Sequence, residues 1–138
     1  VAVQNALVTG SVDVVVGGAE VAVSNLIPDH PHLDWVISTD GGLIWNQGIG
    51  VLSASKKKDL AADFVKWILS PTGQGLLATS ECFWAMPTNS DAELSAEQKA
   101  ILRWDQQSDF LSRSAVSLFP DADLDAEMLD LWTEFQQS

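Results

Sequence analysis

Val12-Asp13-Val14-Val15-Val16-Gly17-Gly18 is the stretch whose reading decides the fold class. β-branched side chains favour extended backbone, and a short unbroken apolar run reads as a buried strand. The paired glycines then permit a tight turn. Both flanks have a helical pattern. Residues 2–8 read as a helix with Gly10 as its C-cap, and residues 19–26 as a second helix stopped by Pro28. Helix, strand, glycine turn and helix in succession imply an α/β protein. A second strand is expected over 33–38, closed by the turn Thr39-Asp40-Gly41-Gly42. Extended chain follows over 43–53, where Gly48 and Gly50 mark bends.

The remainder is helical in pattern. Leu60, Phe64, Val65 and Ile68 fall on one stripe of a helix over 59–69, with Asp59 and Asp63 near its N-terminus. Ser70-Pro71 restarts a helix to about 79, Ser as N-cap and Pro at the first helical position. Residues 81–88 read as irregular and aromatic. Ser95 and Gln98 form a capping box for a helix through 104. Residues 113–120 read as a connector. The last helix, from about 124, carries an apolar stripe of Leu124, Met128, Leu131, Trp132 and Phe135.

Composition narrows the possibilities. The chain has 138 residues, 46% of them apolar, which suits one globular domain and excludes a disordered segment. Nineteen acids against seven bases leave a net charge of −12, which argues against nucleic acid and anionic membranes as partners. No base precedes Lys56 or follows Arg113, whereas Asp121, Asp123, Asp125, Glu127, Asp130 and Glu134 crowd the C-terminal end. This imbalance reads as a solvated acidic face or as a field that attracts a cation. The chain opens inside a helix without an initiator Met, so a processed product or a piece of a longer protein is expected.

Enzyme signatures are weak. His30-Pro31-His32 could approach a metal but has no identifiable third ligand. Cys82 has no neighbouring His in sequence and reads as a small buried thiol. Gly17-Gly18 lacks the rest of a phosphate-binding motif. No catalytic residue, metal or cofactor is expected. Aromatic content is more informative, with six tryptophans and no tyrosine. Trp45 and Trp84 each sit in a non-helical stretch among glycine, proline and polar residues. An indole face there can pack in the core or hold a cation or an alkyl chain.

Gly41-Gly42-Leu43-Ile44-Trp45, the extended stretch after it, the helix ending at Ser70-Pro71, and Trp84-Ala85-Met86-Pro87-Thr88-Asn89 together resemble periplasmic solute-binding proteins of ABC importers. The similarity is greatest to the spermidine/putrescine-binding type. It implies part of a two-lobed periplasmic-binding-protein fold of type II, α/β, with a mixed sheet flanked by helices. Residues 1–44 would belong to the second lobe, 45–88 to a hinge strand and a segment returning to the first lobe, and 89–138 to the helical end of the second lobe. The resemblance places Trp45 against the ligand chain and Trp84 at the cleft edge. Gln47 stands where the polyamine binders place an Asp, and Asp40 and Glu20 are the acids that would compensate. Gly18 would line the cleft with its backbone. Implied partners are a cationic or polar small solute, such as a polyamine, and an ABC permease for the full-length protein. The implied location is the periplasm, or the cell exterior with a membrane tether. An incomplete lobe would expose sheet edges and apolar helix faces, so self-association by segment exchange is also expected. The alternative function is an oligomeric interaction module that no longer serves transport.

Overall fold

A computed structural model describes residues 2–18, 20–81, 83–116 and 120–138. Helices dominate. They are α1 (Ala2–Val8), α2 (Val21–Ser24), α3 (Lys58–Ile68), α4 (Pro71–Ala78), α5 (Ala96–Ile101), α6 (Gln107–Arg113) and α7 (Ala122–Gln137), with a 3₁₀ turn at Trp104–Gln106. Strands β1 (Leu43–Ile44) and β2 (Ala115–Val116) pair in parallel, Leu43 opposite Ala115 and Ile44 opposite Val116.

Helix boundaries follow local hydrogen bonding. Gly10 adopts φ +67° just beyond α1, the left-handed conformation of a C-terminal stop. The Ser70 hydroxyl accepts from the Gly73 amide to cap α4, with Pro71 opening the helix. Ser95 and Gln98 form a complete capping box on α5. The Asp121 carboxylate accepts from the Leu124 amide, which starts α7 two residues before the expected position.

The expected strand over 12–16 does not form. That stretch is exposed, with Val14 75% and Val16 93% accessible, and carries no ladder among the described residues. Parallel strands persist only where neighbours take up their backbone groups, and β-branching alone supplies none. Residues 33–38 are likewise extended but unpaired, and side chains hold them instead. The Trp35 indole N–H donates to the Ile101 carbonyl at 2.9 Å, Arg103 pairs with Asp34 at 2.5 Å, and the Arg113 guanidinium reaches the Ile37 carbonyl at 3.3 Å. Of the extended stretch 43–53, only Leu43–Ile44 is a strand. Among the described residues the sheet is therefore one short parallel ladder, not the expected mixed sheet.

The helix expected through 104 ends at Ile101, because Arg103 takes a left-handed conformation (φ +51°) that the α-helix cannot continue. Helix α6 follows and is absent from the sequence reading. Residues Ala19, Cys82 and Ser117–Phe119 lie outside the described residues, and with them the start of the expected 19–26 helix, the thiol and part of the 113–120 connector.

Two glycines are needed for close approach. A Cβ on Gly41, already at φ +99°, would lie 1.8 Å from the Arg113 carbonyl oxygen, so glycine alone fits beside the β1–β2 ladder. A Cβ on Gly75 would lie 2.2 Å from the Glu93 carbonyl oxygen, where residues 89–93 lie against α4. Leu7, Ala78, Ala92, Ile101, Leu102 and Phe110 are the buried apolar residues. The accessible surface is 10388 Å², against roughly 7,000 Å² for a compact monomer of this mass by the usual scaling. Large apolar faces are therefore left uncovered.

Candidate functional site

One concavity is a cavity of about 470 Å³. Its walls come from all three stretches that the sequence divides. Residues 43–49 and the irregular stretch 83–88 supply two sides. Helices α3 and α4 contribute Phe64, Ile68 and Leu77, and α6 contributes Gln107 and Phe110. The lining is mostly apolar and aromatic, and Glu20 is its one ionisable side chain among the described residues.

Local packing fixes each wall. Gln74 is 4% exposed and clamps two of them. Its amide nitrogen donates to the Ile68 carbonyl at 2.9 Å, and its Oε1 accepts from the Thr88 amide at 2.8 Å and the Thr88 hydroxyl at 3.0 Å. That ties the end of α3 to the 83–88 wall through one side chain. On the opposite side, Trp35 and Phe110 pack with centroids 5.8 Å apart, and arginines cover both outer ends. The Arg103 Cζ lies 5.4 Å from the Trp35 ring and the Arg113 Cζ 5.2 Å from the Phe110 ring. These guanidiniums are bound to Asp34, Asp109 and the Ile37 carbonyl, so they brace the wall and do not line it. Partial burial pushes the Asp34 carboxyl up. The Arg103 hydrogen bond, the Trp35 amide and the Arg103 charge outweigh it and hold the carboxyl below its ordinary value.

Glu20, Trp45 and Gln47 all line this cavity, though separated in sequence. Trp45 is half exposed there, an open indole face. Gly18, Asp40 and Trp84 lie outside the lining. Gly18 is exposed, and Asp40 sits in the exposed turn closed by the Gly41 amide and the Ser38 carbonyl. Trp84 has a left-handed backbone (φ +28°) between Phe83 and Ala85, both of which do line the cavity. Sequence reasoning did not single out Phe83, Met86, Gln107 or Phe110. For Phe110 the available signal was the Asp109–Arg113 spacing of an i,i+4 pair, observed at 2.9 Å. The His30 and His32 rings meet edge to face at 5.9 Å, and no group of three metal-ligating side chains occurs among the described residues.

The cavity thus combines apolar and aromatic walls with one lining acid among the described residues. The profile of the bacterial extracellular solute-binding proteins matches residues 2–75, more than half of the 138. The chain belongs to that family. No curated protein and no solved structure matches it. Membership implies a solute-binding role in ABC transport, a periplasmic-binding-protein fold and a place in the periplasm or outside the cell. Among the described residues no helix is long and apolar enough to cross a membrane.

Proposed function

We propose that the chain is the substrate-binding component, or part of one, of an ABC importer, and that it holds a small cationic solute such as a polyamine in the 470 Å³ cavity. The observation that carries this is the cavity's composition: aromatic and aliphatic walls, neutral polar groups, and Glu20 as the single charge among the described residues. An ammonium group has its counter-ion in Glu20 and its cation–π partner in Trp45, while Gln47 accepts a neutral hydrogen bond. An alkyl chain between amines fits the apolar span made by Phe64, Phe83 and Met86. Asp40, Trp84 and Gly18, which flank the cavity in sequence, act at its margin as it closes on the solute. The two-lobed arrangement, with 1–44 and 89–138 in one lobe and 45–88 crossing to the other, belongs to the same proposal. So does docking to a permease.

Isothermal titration with spermidine, putrescine and a neutral polyol tests it. Saturable polyamine binding is expected, weakened about tenfold by Glu20→Gln, the loss of one charge-assisted contact of ~1.5 kcal/mol. Trp45→Ala is expected to weaken it by a similar factor. Equal affinity for the neutral polyol, or binding indifferent to both substitutions, would overturn the assignment.

A further inference from the structure

Helix α7 has no buried residue. All of its residues are exposed, although Leu124, Met128, Leu131, Trp132 and Phe135 form one continuous stripe with Trp132 and Phe135 stacked at 5.5 Å. Its other faces are acidic and carry no base. Helix α3 presents a second uncovered stripe, Leu60, Phe64 and Trp67, with the last two rings stacked at 6.2 Å. Lys56, Lys57 and Lys58 crowd its N-terminal end, and none of the three has an ion-pair partner among the described residues. An acidic apolar helix and a basic-headed apolar helix face are complementary in both charge and chemistry, and one chain carries both.

We propose that α7 of one copy docks on the α3 face of a second copy, and reciprocally, giving a twofold dimer by exchange of the C-terminal helix. Such an interface needs a surface complementary to itself, which this pair of faces supplies. The area is sufficient. Half-exposed side chains of ~150–200 Å² each give about 400–550 Å² on α7 and ~250–300 Å² on α3. Two symmetric contacts covering these faces then bury about 1,300–1,700 Å² in total, within the range of stable complexes. The lysines at the head of α3 meet the acids beside the α7 stripe, which fixes where the helix docks while the apolar contact supplies the drive.

Sedimentation equilibrium over a wide protein concentration range tests the proposal. The unaltered chain is expected to sediment as a monomer–dimer equilibrium. Met128→Glu with Trp132→Glu should abolish the dimer, and so should Leu60→Glu with Trp67→Glu. Circular dichroism checks that both variants keep their helices, which α7 should do because none of its residues is buried. Mixing the two variants restores one of the two contacts, so a weaker heterodimer should appear that neither variant forms alone. A monomer at every concentration, or a dimer that survives both variants, overturns the proposal. A dimer lost in both variants with no heterodimer on mixing also overturns it, because exchange requires one contact to be regained. None of the four substituted residues lines the cavity, although Phe64 beside Leu60 and Trp67 does, so titrating both variants with spermidine keeps the failure of the dimer distinct from the failure of the solute site.

Discussion

Replacing Gln74 should loosen the cavity before it unfolds the chain. The side chain makes three hydrogen bonds, one to the Ile68 carbonyl and two from Thr88, and is itself 4% exposed. Each such bond contributes a net ~0.5–1.5 kcal/mol. Thr88 is exposed enough for water to recover part of the loss, so Gln74→Leu should cost about 2 kcal/mol. That is a sizeable share of a total of about 5–15 kcal/mol. The local readout is amide exchange at Thr88, whose N–H donates to Gln74 Oε1 and should lose protection. Gln74→Glu sharpens the test. Its carboxylate keeps an acceptor for Thr88 but faces the Ile68 carbonyl with no donor, so its folded pKa should rise above the unfolded ~4.3. A raised pKa contributes stability below the unfolded value and loses it as pH climbs through the folded one. The variant should therefore approach the parent near pH 4 and fall behind it at pH 7. Urea denaturation at the two pH values measures this. A Gln74→Leu variant within ~0.5 kcal/mol of the parent, with Thr88 still protected, would refute the clamp.

Two further predictions concern the frame around the cavity. Gly41→Ala combines a φ of +99° with a contact of 1.8 Å to a backbone carbonyl, so it should cost about 3 kcal/mol or more and open the β1–β2 ladder; retention of the parent's thermal midpoint would show that the ladder gives way freely. Asp34 has a lowered pKa, so its pairing with Arg103 stabilises above the unfolded value near 3.8 and is lost as acid carries the pH through the lower folded value. The pair is largely solvent-facing on the Asp34 side, so Asp34→Asn should cost under ~1 kcal/mol at neutral pH. That gap should close as acid carries the pH through the lowered folded value, and a constant gap into acid would show that the charge is not its source.

What the sequence revealed sorts by the range of the interactions involved. Gly10, Ser70-Pro71, Ser95 with Gln98, and the α3 stripe were legible because a cap or an amphipathic face is written within a few residues. Val12–Val16 misled for the opposite reason. Its extended preference is local, but a strand exists only where a partner accepts its hydrogen bonds, and residues 12–16 have none among the described residues. The break at Arg103 was hidden because a left-handed Arg has no sequence mark of the kind glycine supplies. Within the cavity, Trp45 stood out by its glycine-rich polar setting. Phe110 looked like any other aromatic until α6 and residues 33–38 brought it against Trp35.

The small core and the large surface bear on how a solute would act. Six buried apolar residues among the described ones and an accessible surface of 10388 Å² leave much of the apolar area on the cavity walls and on the α3 and α7 stripes. Stability therefore depends heavily on capping bonds, the Gln74 clamp and the arginine-braced Trp35–Phe110 pair, each a few kcal/mol at most. A ligand at a hundred times its dissociation constant adds about 2.7 kcal/mol by mass action, comparable to any one of those devices. On the proposed reading, a solute in the cavity would act as one more packed side chain, adding to the Gln74 clamp and to the Ala85–Ala78 and Asn89–Leu69 bonds that already tie residues 83–89 to the helices. Binding and ordering of the cavity would then be one equilibrium, and a mutation that frees a wall would weaken affinity without touching the solute.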